Sequence, residues 1–143
     1  MKKLTLLIAA LVLSFTAQAT IVNCSPNSNA ISWWMTKGDT LVFEDGEYTE
    51  DYSIDFDQAG VVLMAAEGAK PVIKNSSYFK IHATTTFIGI TFDGQNTSNY
   101  AITTRGEAAK DLILTNCEFK NFKESNICIY ENTTLTTLDI DSC

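Results

Sequence analysis

The chain has 143 residues, of which 45% are hydrophobic and 19% are charged, and its formal net charge at pH 7 is −7. This length fits one domain. Ten Lys and Arg residues against 17 Asp and Glu leave no basic patch for phosphates, so nucleic acid is excluded as a partner.

The first 19 residues have the three parts of an export signal. Two lysines form a charged start, Leu4–Phe15 is an apolar run, and Ala17-Gln18-Ala19 is a cleavage site of small residues. The run is shorter than the ~20 residues of a membrane-spanning helix, which favours cleavage before Thr20 over an uncleaved anchor. We predict a signal peptide over 1–19, no membrane-spanning segment after its removal, and an exported protein that is periplasmic, bound to the cell surface or secreted.

Residues 20–37 differ from the rest of the chain and form a predicted N-terminal cap. Asn27-Ser28-Asn29 offers helix N-cap side chains, and an apolar stretch with Trp33 and Trp34 follows before Gly38. A solenoid needs a cap over the strand edges and the core at its end. We predict a short capping helix whose tryptophans plug the core, and the alternative is that they form a platform for sugars.

From Gly38 onward the helical pattern is absent, and short β-type segments alternate with turns. The segments are rich in β-branched, aromatic and aliphatic residues, whereas the turns contain Gly, Asp, Asn and Ser. The predicted segments are Thr40–Phe43, Val61–Met64, Pro71–Ile73, Tyr78–Ile81, Thr86–Phe92, Tyr100–Thr103, Leu112–Phe119, Ile127–Tyr130 and Leu135–Ile140. They assign residues 38–143 to repeated coils.

Two stretches of these coils repeat one another, and a third copy begins after them. Thr85–Ile102 aligns with Leu112–Ile129 at a shift of 27 residues (112 minus 85). The aligned pairs are Phe87 with Leu114, Ile90 with Cys117, Phe92 with Phe119, Tyr100 with Ile127 and Ile102 with Ile129. A further shift of 26 (138 minus 112) places Leu138 on Leu112 and Cys143 on Cys117.

A fixed period of this length, with short strands and no helix between them, predicts an all-β fold, the right-handed parallel β-helix. The alternative is an antiparallel sandwich, which does not require equivalent residues at a fixed spacing. Because the third copy stops at Cys143, we expect the last coil to be incomplete. Its open edge and apolar side chains would favour self-association.

The four cysteines, Cys24, Cys117, Cys128 and Cys143, all follow the predicted cleavage site. Disulfides persist in exported proteins, and four cysteines permit three pairings. The alternative is that Cys117 and Cys143 stack on adjacent coils as small apolar side chains. The chain has no C-x-x-C pair and a single histidine, His82, which disfavours a zinc site.

Seven acidic residues and no basic residue lie between Glu44 and Asp57. Hard cations such as Ca²⁺ bind several carboxylate oxygens, so Glu44, Asp45, Glu47 and Asp51 are the candidate calcium ligands. The alternative is a solvated acidic face, because the D-x-D-x-D-G spacing of a calcium loop is absent. No other cofactor is predicted.

Several residue types suit chemistry on sugars, although each also suits a solvated turn or ordinary packing. Candidate bases for proton removal are Lys80, Lys110, Lys120, Lys123 and Arg105, with His82 two residues from Lys80. Candidate acids for glycoside hydrolysis are Asp139, Asp141 and Asp93. Candidate residues for stacking on sugars are Tyr48, Tyr52, Tyr78 and Tyr100.

Gly38–Tyr48, with the sequence GDTLVFEDGEY, resembles the opening of the right-handed β-helix in chondroitinase-B-like and alginate-lyase-like polysaccharide lyases. Asn116–Phe119, NCEF, resembles a rung of the pectin-lyase-like superfamily. The whole chain is similar to exported β-helix proteins of Bacteroidota that have no established activity. The resemblance implies the fold and an association with carbohydrate. In the lyase families the catalytic residues come from later coils, so no catalytic residue is carried over.

Two functional hypotheses result from these observations. The first is an exported, non-enzymatic β-helix module that binds polysaccharide or has a structural role at a surface. The alternative is the N-terminal part of a polysaccharide lyase that acts by β-elimination on uronate-containing glycans. Under both hypotheses the catalytic residues are unknown.

Export of the chain by a bacterial host is expected to remove residues 1–19. N-terminal sequencing and intact mass of the exported protein should begin at Thr20. Ala19→Arg should leave the precursor uncleaved, because the cleavage site requires small side chains. Retention of residues 1–19 by the exported wild type would contradict the predicted signal peptide.

Overall fold

The computed structural model describes residues 19–36, 39–108 and 110–143. Residues 1–18 of the predicted signal peptide, and the predicted boundary between cap and coils at 37 and 38, lie outside these ranges. The described helix is α1 (Ile31–Met35), and no helix in these ranges is long and apolar enough to cross a membrane. The strands are β1 (Ile21–Cys24), β2 (Thr40–Phe43), β3 (Glu47–Glu50), β4 (Ile54–Phe56), β5 (Val61–Ala65), β6 (Val72–Asn75), β7 (Phe79–Ile81), β8 (Thr85–Ile88), β9 (Thr91–Asp93), β10 (Ile102–Thr104), β11 (Lys110–Thr115), β12 (Glu118–Lys120), β13 (Ile127–Ile129) and β14 (Leu135–Asp141).

The strands form three sheets, here named A, B and C. Sheet A has the order β1-β2-β5-β8-β11-β14, sheet B the order β3-β6-β9-β12, and sheet C the order β4-β7-β10-β13. All strand pairs are parallel. The chain passes through A, B and C in turn, so four coils are followed by β14 in sheet A. The molecule is an all-β parallel solenoid, as predicted.

Inward side chains stack from coil to coil into a continuous apolar core. Phe56, Phe79, Phe87 and Phe92 are fully buried, and the centroids of their contacting rings are 5.5 to 6.1 Å apart. Phe92 and Phe119 are stacked at 5.0 Å with an interplanar angle of 10°, which confirms the predicted pair. Burial of each large apolar side chain contributes about 1.5–3 kcal/mol, so these rows are the main source of stability.

The predicted repeat register is confirmed in sheets A and B and is wrong in sheet C. β8 pairs with β11 at a shift of 27 residues, and β11 pairs with β14 at a shift of 26 over most of its length. In sheet C, Ile102 pairs with Ile127, so the predicted pairs of Tyr100 with Ile127 and Ile102 with Ile129 do not form. The connection from sheet B to sheet C spans residues 94–101 in the third coil and 121–126 in the fourth. The second connection is two residues shorter, and the register changes by two.

The segment predicted over Thr86–Phe92 is two strands that meet at a corner. Gly89 separates β8 from β9 and has a φ of +68°, which glycine adopts without steric cost. The corner shifts the alternation of the side chains, so Phe87 and Ile90 are both buried although three residues separate them. A single continuous strand would have placed them on opposite faces.

Part of the predicted cap joins sheet A as a strand. β1 pairs with β2, and α1 follows it at the same end of the solenoid. Trp34 is buried and contacts Phe43 and Tyr48 edge-on, each at 6.0 Å between centroids. Trp33 is exposed. One tryptophan therefore plugs the core, whereas its neighbour does not.

Helix α1 is capped from the first coil rather than by the predicted Asn-Ser-Asn sequence. The N-cap residue is Ala30, which makes no side-chain capping bond. The Glu50 carboxylate instead accepts a hydrogen bond from the Ile31 backbone N–H. Glu50 is buried, and desolvation raises the pKa of its carboxyl; the Ile31 bond opposes this rise and the Asp51 charge adds to it.

All four cysteines are free thiols. Cys117 and Cys143 lie on neighbouring coils, with the Cys117 backbone nitrogen 3.3 Å from the Cys143 sulfur. Cys117 is buried and Cys143 is exposed. This arrangement matches the predicted stacking of the two residues. Burial raises the pKa of the Cys24 thiol to about 12 and that of Cys117 to about 11, which makes both poor nucleophiles at neutral pH.

Glu50→Gln is expected to raise the free energy of unfolding at pH 7, because the amide keeps the acceptor for Ile31 and removes the buried charge. The folded pKa of Glu50 lies above the unfolded value of ~4.3, so the wild type loses stability as the pH rises through the folded pKa. The advantage of the variant should therefore grow from pH 4 towards pH 7 in urea denaturation.

Glu50→Ala is the matched control, because it removes both the charge and the acceptor. It should lower the free energy of unfolding by about 1–2 kcal/mol through loss of the helix cap. An equal gain in stability for the Ala and Gln variants would contradict the capping role.

Candidate ligand-binding face

A group of aromatic and charged side chains lies at the ends of the strands of sheet C. β10 pairs with β7 on one side and with β13 on the other. Tyr78 directly precedes β7, Arg105 directly follows β10, and Tyr130 directly follows β13. Since Thr104 pairs with Ile129, the next residues, Arg105 and Tyr130, become neighbours on adjacent coils.

Arg105 lies over two tyrosine rings. Its guanidinium carbon is 4.3 Å from the centroid of the Tyr130 ring and 5.9 Å from that of Tyr78, both within the ~6 Å range of cation–π contacts. Tyr78 contacts Tyr100 edge-on at 6.3 Å. We name the surface formed by Tyr78, Tyr100, Arg105 and Tyr130 the Arg105 face.

Glu124 fixes one side of the Arg105 face. Its carboxylate accepts hydrogen bonds from the Tyr100 hydroxyl and, at 2.6 Å, from the Asn99 side-chain amide. The bond to Glu124 is the main cause that raises the pKa of Tyr100 to about 12, with desolvation and the Glu124 charge as further causes. Tyr100 therefore stays neutral, and its ring is held in one orientation.

Arg105 is a cation that no protein carboxylate neutralises within the described ranges. The ion pairs found there join Lys74 to Glu47, and Lys80 and His82 to Asp55. A guanidinium matches a carboxylate through two parallel hydrogen bonds. The Arg105 face thus presents tyrosine rings beside a positive group that is suited to an acidic ligand.

A cavity of about 370 Å³ opens beside Arg105 and Tyr130. Its other lining residues are Gly106, Glu107, Asn132 and Thr133. Its size lies in the range of small-ligand sites, and most of these lining residues carry polar side chains. One or two sugar rings are ligands of a matching size and polarity.

The loop that carries Arg105 is held from inside by a buried lysine. Lys110 is 1% exposed, and its Nζ donates to the backbone carbonyls of Arg105 at 2.7 Å and Gly106 at 2.8 Å. Gly106 has a φ of +81°, which favours glycine at this turn. Desolvation lowers the pKa of Lys110. Lys110 is therefore a positioning residue and not the solvated lysine that the sequence also allowed.

The four predicted calcium ligands do not converge on one point. The stretch predicted as an acidic run contains β3 and β4, in which buried Tyr48, Ile54 and Phe56 alternate with exposed residues. Glu47 pairs with Lys74 at 2.6 Å, and Asp45 accepts the Lys70 N–H at 2.8 Å. Glu44 and Asp51 are exposed. In the described part of the chain, no group of three His, Cys, Asp or Glu is placed to hold a metal ion, and the calcium site stays a prediction.

The candidate bases and acids are spread over the surface, except for one pair. Lys80 and His82 both contact the same Asp55 oxygen, at 3.6 and 3.1 Å, which agrees with their predicted position on one face of a strand. Asp93 lies at the end of β9 and accepts bonds from Asn121 and Gln95. Of the rest, Lys120 ends β12, Lys123 lies in the turn after β12, and Asp139 and Asp141 lie on β14. The alternative of a polysaccharide lyase stays a prediction.

The sugar-stacking candidates from the sequence divide into three groups. Tyr78 and Tyr100 belong to the Arg105 face. Tyr48 is buried, and its hydroxyl donates to the Cys24 carbonyl at 2.7 Å, while Tyr52 is exposed and stands apart from the face. Tyr130 was missed, and its spacing of 25 residues from Arg105 is the signal that identifies it, because 25 is the period of β10 and β13.

No family model, no curated protein and no solved structure matches this chain.

Lys110→Met is expected to lower the free energy of unfolding by about 1–3 kcal/mol at pH 7, because two backbone carbonyls lose their donor. The folded pKa of Lys110 lies below the unfolded value of ~10.4, so the unfolded state binds more protons between these two values. The stability of the wild type relative to Lys110→Met should therefore rise with pH across this window. Urea denaturation from pH 7 to 11 measures it, and equal pH slopes would contradict the placement of Lys110.

Proposed function

We propose that this chain is an exported, non-enzymatic β-solenoid module that binds polysaccharide at the Arg105 face. Sugar rings would lie on the tyrosines, and an acidic sugar would place its carboxylate on Arg105. The observation that carries the proposal is the position of Arg105, 4.3 Å from the Tyr130 ring and unpaired with any described carboxylate.

The chemistry of the face supports a sugar ligand. Tyrosine combines an apolar ring with a polar hydroxyl, and such side chains bind ligands that have both apolar and polar faces. The adjoining cavity supplies amide and hydroxyl groups from Asn132 and Thr133. Rigid positioning supports the same function, because Glu124 holds Tyr100 and Lys110 holds the Arg105 loop.

The predicted export signal and the resemblance of Gly38–Tyr48 to polysaccharide-lyase β-helices also support the proposal. Both point to an extracellular carbohydrate and to membership of the pectin-lyase-like superfamily. The formal net charge of −7 opposes non-specific adsorption of acidic polymers, so binding depends on a local cation such as Arg105.

Arg105→Lys should weaken binding of uronate oligosaccharides about tenfold, because the variant keeps the charge but loses the paired hydrogen bonds. Tyr130→Ala should weaken both uronate and neutral oligosaccharides, because it removes a stacking surface. Isothermal titration calorimetry with a panel of oligouronates and matched neutral sugars measures both effects.

Tyr52→Ala is the matched control, because Tyr52 is 82% exposed and lies outside the Arg105 face. It should leave every affinity unchanged. The proposal fails if no oligosaccharide binds at millimolar concentration, or if Tyr52→Ala weakens binding as much as Tyr130→Ala does. Release of unsaturated uronate products by the wild type would contradict the non-enzymatic assignment.

A further inference from the structure

We propose that two copies of this chain associate end to end through β14, with the two strands antiparallel and the Leu138 residues opposite one another. β14 is the terminal strand of sheet A and has seven residues, more than any other described strand. It pairs with β11 on one edge, and no strand of the described ranges pairs with its other edge. A long open edge of this kind is a template for another strand.

The hydrogen-bond pattern shows which groups face the open edge. The Asn116 N–H donates to the Asp141 carbonyl at 2.9 Å, so the backbone groups of Asp141 point towards β11. Backbone direction alternates along a strand. The N–H and C=O groups of Ile140 and Leu138 therefore point away from β11, to the open edge, where a second strand can bond to them.

The side chains of the same two residues form an apolar surface. Leu138 is aligned with buried Leu112, and Ile140 with buried Leu114, so both continue the rows of the core. Even so, they are 42% and 49% exposed. Ile129 is 49% exposed on the neighbouring coil. A partner that continues the solenoid would bury these groups, and a second copy brings the same residues.

Charge selects the register between the two copies. Antiparallel strands centred on Leu138 place Asp139 opposite Thr137 and Asp141 opposite Leu135. A shift of the centre to Asp139 would place Asp139 opposite its own copy, and a centre at Ile140 would place Asp139 opposite Asp141. Like charges directly opposite one another are destabilising. The centre at Leu138 avoids both contacts and keeps edge-facing backbone groups opposite one another.

A two-fold axis also keeps the cores continuous. An axis normal to sheet A between the two Leu138 residues reverses the strand direction and leaves the inner side of the sheet on the same side. The apolar rows of both copies then meet across an isologous, closed contact. A head-to-tail contact would instead place β14 on β1, at the end where α1 and buried Trp34 follow.

The experiment uses the full chain, expressed with its own N-terminal segment, with the N-terminus determined by mass spectrometry. Sedimentation velocity over a range of concentrations should show a dimer for the wild type. Leu138→Lys should give a monomer with an unchanged circular dichroism spectrum, because it places two like charges opposite one another. Ile21→Lys is the matched control, since Ile21 is a 65% exposed apolar residue on β1, and it should leave the dimer intact.

Disulfide trapping tests the register in a Cys143→Ser background, which removes the exposed native thiol. Leu138→Cys should form an intermolecular disulfide, because directly opposed residues in such a pair have Cα atoms ~5.5 Å apart. Asp141→Cys should not, because its two copies would be six residues apart along the strands, about 20 Å.

Three results would overturn the proposal. They are a wild type that stays monomeric at all concentrations, a dimer that persists in Leu138→Lys, and association that Ile21→Lys abolishes. The last result would indicate a head-to-tail contact. Equal trapping of Leu138→Cys and Asp141→Cys would refute the register.

Discussion

Stacking of inward side chains between successive coils is the interaction on which the rest of this structure depends. Phe92 on Phe119, and the contacts among the buried phenylalanines, bury apolar surface and fix which residue of one coil lies on which residue of the next. A slip of one residue would move a whole row to the outer surface. The parallel hydrogen-bond ladders then follow a register that the core has selected.

The same constraint decides where side chains are available for function. Residues in the middle of each strand alternate between the core and the sheet surface, whereas residues at strand ends can reach across coils. Arg105, Tyr78 and Tyr130 all lie directly beside strands of sheet C. Function at the ends of rigid strands is a common solution, because the scaffold positions the groups without using them for packing. Lys110 adds a buried donor that holds the Arg105 loop.

Much of the architecture was predictable, because a repeat shows directly in the order of residues. The solenoid, the ladder of Phe92 and Phe119 and the proximity of Cys117 to Cys143 all follow from equal spacing. Only half of the Arg105 face was predicted. Tyr78 and Tyr100 were candidates, but the link between Arg105 and Tyr130 needs the period of 25 residues in sheet C, and the sequence comparison used 27. Connections of unequal length change the register without a clear sequence signal.

The sequence by itself determined the class of fold, since apolar residues at a fixed spacing can be buried together only when coils stack. It also determined that the chain is acidic and has a single arginine and a single histidine. Only the tertiary structure decided which residues meet. Glu50 caps α1 from a distance of 19 residues, and Lys110 turns inward to the carbonyls beside Arg105. The physical reason is that local propensity acts within a few residues, whereas partners for buried polar groups are supplied by whichever coil lies beside them.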